Sequence, residues 1–472
     1  MIWHIFRKDL RMSWKPALGA AVLQWIATAL IVRLGIFPAN RTLEQVHSLV
    51  RVTAGLATFL AAIVAVQNDV LTLPTGDWLM RPIRHRDMLL AKILFFIAAV
   101  QLPILIGCVA EGMGFGFGFG DSFGTALWQA AMMTLGMGIP AVALGAMTAN
   151  LVEAIVFVIS VVAIAVGQSW LAETLDSSSR SGLLFNLDWI EGAGLTGGMF
   201  VGGTIALWVL YRWRKVAQAR YASAAIFIVG AAIGLLPWKS AFAVQGWITP
   251  PSGAARNIRL EFDAAARNPR AVAAFGDTAD VPVRVAGLEA GTAVRADLIE
   301  VTLTGADGSV EHPQIRPSQL SKVGRGALRI VSGASSPVTV KADYWLTLVR
   351  EAGHQWVETG DRETPVPGLG RCRIGVMSEN WGETVGCVSA GPANGVCYSL
   401  GDDRFSSVFC QNYGPSWLWF PDWDELSRIP SGAIPIRGIP RRVDVTTYKI
   451  VEHFVRHLEI PDVRLDNWRP KG

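Results

Sequence analysis

The first 242 residues carry seven apolar runs, at about 17–37, 52–70, 88–110, 125–147, 153–171, 195–211 and 222–238. Each has roughly the 17–25 residues that a helix needs to cross the hydrocarbon of a bilayer. A backbone in hydrocarbon must satisfy its own hydrogen bonds, so such runs are helices, and polar interruptions between them lie at a membrane face. That constraint outweighs any average property of the chain. The charged fraction of 17 % is low for the whole, but the polar residues are concentrated after residue 242, where the sequence reads as a separate, ordinarily charged domain. The expected architecture is therefore an all-α membrane bundle of about seven helices over 1–242, then a β-rich, sandwich-like extracytoplasmic domain over 243–472.

The longest interruption among the early runs is QNDVLTLPTGDWLMRPIRHRDMLLAK at 67–92. Proposed inner segments carry Arg7, Lys8, Arg11, Lys15, Arg81, Arg84, Arg86, Lys92, Arg212, Arg214, Lys215 and Arg220, whereas proposed short outer segments carry Arg33, Arg41, Arg51 and Arg180. Basic residues favour the cytoplasmic side, which places the N-terminus and the 67–92 loop inside. Seven crossings then put everything after Trp238 outside. Asp69, at the inner end of the second run, is the one carboxylate that looks intramembrane, a functional candidate by default that can instead reach the interface.

Residues 2–12 set Ile2, Ile5, Phe6 and Leu10 at helical spacing opposite Arg7, Lys8 and Arg11, the pattern of a helix lying in the membrane interface. A cleaved signal peptide is the plainer alternative, but no small-x-small cleavage site follows. Between the third and fourth runs, GMGFGFGFGD at 112–121 reads as an outer loop with exposed aromatic anchors or as a flexible re-entrant loop.

In the second half, alternating apolar residues mark strands at 257–262, 281–285, 294–304, 327–331, 338–349 and 373–377, and Asp307-Gly308 marks a hairpin turn. The stretch 443–458 places Val451, Phe454, Val455 and Leu458 on one helical face. Of five cysteines, Cys108 sits in an apolar run. Cys372, Cys387, Cys397 and Cys410 cluster in a Gly- and Trp-rich section at 372–424. They contain no Cys-x-x-Cys pair, so two disulfides fit better than zinc, with three pairings open. Disulfides persist outside the cytoplasm, which agrees with the crossing count.

No catalytic centre emerges. The chain lacks a phosphate-binding Gly-x-x-x-x-Gly-Lys loop, a Gly-x-Ser-x-Gly elbow and a His-Glu-x-x-His pair, and it is read as no enzyme, with no cofactor and no metal of its own. His453 and His457 could share a metal but fit a polar helix face more simply. Asp402 and Asp403 sit in a turn, and Trp417, Trp419 and Trp423 suit a small core better than a sugar platform. A net charge of +4 without an aromatic-interleaved basic stripe argues against nucleic acid. No ladder of buried carboxylates crosses the membrane, so energy for transport would come from another subunit.

The run Thr75-Gly76-Asp77-Trp78-Leu79-Met80-Arg81-Pro82-Ile83, continuing through Arg84, Arg86 and Asp87 to Lys92, resembles the loop between the second and third spans of bacterial ATP-binding-cassette permeases of the type-2 exporter class. The helix around Phe6-Arg7-Lys8-Asp9-Leu10-Arg11 is similar to theirs as well, and the likeness covers about residues 1–215. It implies a permease subunit in a bacterial inner membrane, pairing as a homo- or heterodimer, with ATP and Mg held by a separate ATPase. The coupling loop would comprise Asp69, Asp77, Trp78, Arg81, Pro82, Arg84, Arg86, Asp87 and Lys92, Trp78 serving as apolar anchor and the arginines meeting an acidic rim. The seventh run and the external domain depart from the simplest members. Rival readings are a membrane-anchored sensor or binding protein whose β domain recognises a ligand or envelope component, and a tethered enzyme.

Overall fold

The computed structural model describes residues 1–36, 41–67, 85–178, 188–233, 236, 238–249, 251–266, 278–316, 320–321, 323–333, 337–358, 363–378, 382–389, 396–400, 408–410, 428–429 and 442–469. The helical half contains α1 (Ile2–Leu34), α2 (Arg41–Gln67), α3 (His85–Phe95), α4 (Leu102–Gly114), α5 (Phe119–Met133), α6 (Ile139–Met147), α7 (Leu151–Ser178), α8 (Asp188–Trp213), α9 (Val216–Ile233) and α10 (Trp238–Ile248). A π-helical turn at Phe96–Gln101 joins α3 to α4, and another at Thr134–Gly138 joins α5 to α6. Among the described residues, six continuous stretches are long and apolar enough to cross a membrane: Ile2–Leu34, Thr42–Gln67, Leu90–Gly114, Phe119–Met147, Ala193–Trp213 and Val216–Ile233. Their outward faces are apolar, as at Leu56, Ile97, Leu127, Trp208 and Ile228. A soluble bundle would put charge there; these faces suit lipid.

One expectation at the start of the apolar runs is corrected. The interfacial helix and the first run form one 33-residue helix, α1. Its inward stripe is Ile5, Phe6, Asp9, Ser13 and Ala17, whereas Leu10 is exposed. The stripe rotates because Asp9 is drawn inward to Lys92, an attraction that local apolar spacing cannot register. The last run, 222–238, matches α9, and the short α10, which lies beside the sheets, begins where that run ends.

Helix packing is closest where side chains are smallest. Gly194, Gly198 and Gly202 of α8 face α9, and a Cβ on Gly198 would stand 3.2 Å from the Cα of Gly230. Spacing of four residues puts these glycines on one face, the small-xxx-small device by which membrane helices approach.

The strands are β1 (Arg259–Phe262), β2 (Thr278–Ala286), β3 (Thr292–Gly305), β4 (Val310–Glu311), β5 (Gln314–Arg316), β6 (Arg325–Val331), β7 (Val338–Glu358), β8 (Thr364–Val366), β9 (Gly370–Ser378), β10 (Gly382–Val388), β11 (Val396–Leu400), β12 (Phe409–Cys410), β13 (Arg428–Ile429) and β14 (Arg442–Val463). They form a six-stranded sheet β12-β11-β14-β7-β3-β4 and two four-stranded sheets, β1-β2-β6-β5 and β13-β10-β9-β8. The spine is the antiparallel pair β7–β14, running from Arg442 opposite Glu358 to Val463 opposite Val338. Alternation sends Val340, Ala342, Tyr344, Leu346 and Leu348 into a core shared with Val281, Val283, Leu328 and Ile330 of the first small sheet. Val357, Val443 and Val445 of the spine pack instead on Ile374, Val385 and the Cys372–Cys387 pair of the other. The expected hairpin turn forms, with Gly308 at φ 80° and the Asp307 carboxylate accepting from Ser309 N at 3.0 Å. The stretch 443–458 is strand, not helix. Trp417, Trp419, Trp423, Asp402 and Asp403 lie outside the described residues.

The sheets rest on one end of the bundle, here the β end. Val388 of β10 packs with Ile31 and Ile36 at the end of α1 and Phe115 after α4. Trp345 of β7 packs with Trp238 and Phe242 of α10, near Ala193 at the start of α8. The opposite, free end carries Asp9, Gln67, Lys92, Met147 and the α8–α9 turn.

Candidate functional site at the free end of the bundle

The free end is held by polar side chains that reach between helices. Lys92, in the last turn of α3, is 5 % exposed, and its Nζ lies 2.9 Å from Asp9 Oδ2 of α1. The same ammonium donates to the Ala65 carbonyl of α2 at 2.7 Å. One cation thereby ties three helices. Neither charge is viable alone in so apolar a setting, since desolvating an ion costs several kcal/mol that only a close counter-charge offsets. Around the pair, Ile5, Phe6, Ala17, Ala91 and Phe95 close an apolar cluster.

A second set lies beside it. Gln67 Nε2 donates to Thr148 Oγ1 at 2.9 Å, fixing the end of α2 to the end of α6. Arg220 of α9 donates through Nε to the Met147 carbonyl at 3.0 Å and meets Glu153 Oε1 at 2.6 Å. A cation on the last carbonyls of a helix is favoured by the helix dipole, as here at the end of α6. Asn150 caps α7 by accepting from Glu153 N at 2.9 Å.

In sequence, segment 68–84 joins Gln67 at the end of α2 to α3, the helix bearing Lys92. Asp69, Asp77, Trp78, Arg81, Pro82 and Arg84 lie outside the described residues. Arg86 and Asp87 fall in the first turn of α3, where Asp87 is half-buried and its charge complements the helix N-terminus. Lys92, grouped by sequence with the loop's charges, points into the bundle. Asp9 is the residue that sequence reading passed over. Its signal was a carboxylate on the apolar side of an otherwise basic helix.

A second buried polar cluster lies in the β region, on the sheet face toward α10. Thr347 of β7 donates to Asp297 of β3 and lies 2.8 Å from His453 Nδ1 of β14. Arg295 Nε approaches Asp297 Oδ1 at 3.4 Å and its Nη1 donates to the Cys410 carbonyl at 3.0 Å. Phe242 of α10 meets the His453 ring edge-on. Burial pushes the Asp297 carboxyl up to about 6, against the opposing pull of Arg295 and Thr347. Burial also lowers the Arg295 guanidinium and brings the His453 imidazole down to about 4. Thr347 donating to a carboxylate leaves its lone pairs for His453, so the neutral imidazole carries its proton on Nδ1.

The two-histidine metal site does not form. Along a strand, four residues separate His453 from His457 by roughly 13 Å, and His457 is exposed and bonded to Asp343 at 2.5 Å. Among the described residues no group of three potential ligands comes together. The four clustered cysteines form two disulfides, Cys372–Cys387 and Cys397–Cys410. No family model, no curated protein and no solved structure matches the chain.

Proposed function

We propose that this chain is the membrane-spanning permease subunit of an ATP-driven exporter of the ATP-binding-cassette type, which receives its power stroke through segment 69–92. The observation that supports the reading is the placement of the two helix ends that flank that segment. The arginine-rich stretch connects α2, tied by Gln67 to Thr148, with α3, tied by Lys92 to Asp9, and both ties lie at the end of the bundle away from the sheets. A push on such a segment reaches α1 and α2 through Lys92 and α6 through Gln67. The residues for the contact are Trp78 as anchor and Arg81, Arg84 and Arg86 as cations, with Asp69, Asp77, Pro82 and Asp87 shaping the loop. ATP and Mg belong to the partner subunit, and a second permease chain completes the assembly.

Seven crossings of a bacterial inner membrane, N-terminus inside and sheets outside, fit the connectivity. α7 starts beside Met147 at the free end, and α8 starts at the β end, so 28 helical residues, about 42 Å, join the two. The two disulfides suit the oxidising side, where the paired sheets form a sandwich-like domain. A membrane-anchored sensor is the second reading, favoured by the contact that the β9–β10 hairpin makes with the bundle. The two part on one experiment. The purified chain should carry a stoichiometric ATP-hydrolysing subunit from its native membranes, lost with Trp78→Ala and with Arg81→Glu. Retention in both variants would end the coupling reading.

A further inference from the structure

The β9–β10 hairpin touches the bundle through two adjacent cross-strand neighbours. Arg371 and Val388 stand opposite each other in the ladder, one residue from the Cys372–Cys387 pair. Val388 enters the apolar cluster of Ile31, Ile36 and Phe115. The Arg371 guanidinium lies over the Phe117 ring at 5.9 Å and is held from behind by Glu363 at 3.4 Å. It also packs on Gly116, whose φ of 79° lets the turn between α4 and α5 pass beneath; a Cβ there would collide with the guanidinium. The glycine–phenylalanine alternation thus builds a docking turn: Phe115 is buried, Phe117 meets Arg371 and Phe119 is left exposed.

Directly beneath, the contact of α1 with α4 encloses one polar atom with no hydrogen-bond partner, and α5 buries two more, one of them against α4. Thr28 Oγ1 of α1 faces Gly107 of α4, and Ser122 Oγ of α5 faces Gly112 of α4. Gln129 Oε1, two turns along from Ser122, is likewise unsatisfied. All three residues are more than nine-tenths buried. Buried polar atoms are normally bonded, and those left without a partner ask for an explanation. α4 passes α1 so closely here that a Cβ on Gly114 would stand 2.7 Å from the Val32 side chain.

We infer that the β9–β10 hairpin is a clamp that holds the ends of α1 and α4 together over a closed polar seam, which opens toward the β end when the clamp lifts. The disulfide keeps Arg371 and Val388 in register so that the two contacts act as one. Opened, the seam between α1 and α4 offers the hydroxyl of Thr28. Such an uncharged group suits water or a neutral hydrogen-bonding ligand better than an ion. Nothing in the clamp requires an ATPase, and its test uses none, so it fails separately from the proposed function.

The test is cysteine accessibility in the full chain, in native membranes. Cys108→Ala removes the one free thiol, the other four cysteines being paired, and Thr28→Cys places a reporter in the seam. An aqueous methanethiosulfonate should label this reporter slowly. Release from either side, by Arg371→Ala on β9 or by Gly116→Ala on the turn, should speed labelling about tenfold or more, because opening is the step that exposes it. Arg350→Ala, on an exposed pair with Glu289 remote from the bundle, should leave the rate unchanged. The clamp is overturned if both release variants label at the parental rate, if the parent already labels as fast as a surface cysteine, or if Arg350→Ala accelerates labelling equally.

Discussion

Asp297 and His453 share one hydroxyl, Thr347 Oγ1, yet they should couple stability to pH in opposite directions. Burial raises Asp297 from 3.8 to about 6, so the folded protein holds that proton more tightly than the unfolded chain does. Its contribution grows as pH falls from 6 toward 4 and is lost as pH rises through 6. Two pH units at about 1.4 kcal/mol each give about 3 kcal/mol. His453 is lowered from 6.5 to about 4, so there the unfolded chain takes the proton first. Its contribution is present above 6.5 and is lost as pH falls toward 4, again by about 3 kcal/mol, less whatever solvent reaches the ring. Between pH 6 and 4 the two slopes cancel, and the cluster leaves wild-type stability nearly flat.

Removing one member should expose the other. Asp297→Asn keeps an acceptor for Thr347 but not the titration, so its stability relative to wild type should fall by about 3 kcal/mol between pH 6 and 4. His453→Gln should show the mirror image, gaining relative to wild type as the solution is acidified. Among the described residues, Arg295, Thr347 and the Phe242 ring also face the pair. Thermal unfolding of the full chain in detergent, followed by near-ultraviolet dichroism at half-unit pH steps, reads both differences. About 3 kcal/mol corresponds to several degrees in Tm. A variant-minus-wild-type difference that does not change with pH in either variant would refute the opposed linkage.

Two further outcomes concern the bundle. Lys92→Ala or Asp9→Ala each leaves one buried charge without its partner and should cost about 3–5 kcal/mol in the melting of detergent-solubilised protein, whereas Asp9→Asn with Lys92→Met should recover most of it; strictly additive losses would show that the pair does not act as a unit. A phosphatase that is active only outside the cytoplasm, fused after residue 245, should be active, and activity from a cytoplasm-only reporter at that site would remove the seventh crossing.

The apolar runs and the alternation of the strands were legible because each depends on residues a few positions apart. Stretches predicted at 281–285, 294–304, 327–331, 338–349 and 373–377 fall within β2, β3, β6, β7 and β9, and the one at 257–262 contains the shorter β1. What was hidden depends on distant partners or on irregularity. In β14 the register shifts between Ile450 and Glu452; the extra residue, Val451, breaks the two-residue period and leaves an apolar spacing that mimics a helix. The cysteine pairing was unreadable from spacing, yet strand register decides it: Cys387 stands opposite Cys372, and Cys397 opposite Cys410. At the free end, Asp9 waits on Lys92, more than eighty residues away, so no local moment could turn α1 to bury a carboxylate.

The two ends of the bundle are secured by different physics, and this bears on how each could move. At the free end the ties are charged: Lys92 on Asp9 and Ala65 is buried, and Arg220 on Met147 and Glu153 lies half-exposed beside it. Separating such partners inside an apolar cluster strands a charge, so the helices there are expected to shift together as a block. At the β end the ties are apolar and cation–π: Val388 among Ile31, Ile36 and Phe115, and Arg371 over Phe117. Each such contact is worth on the order of 1–3 kcal/mol, and none leaves an isolated ion when broken. Displacement of segment 68–84 would accordingly pass through a stiff joint and appear as opening at the softer one. If Lys92→Ala loosened the free end without changing the labelling of a cysteine at Thr28 while the bundle stayed folded, the two ends would be mechanically independent, and a push at the loop would have no route to the seam.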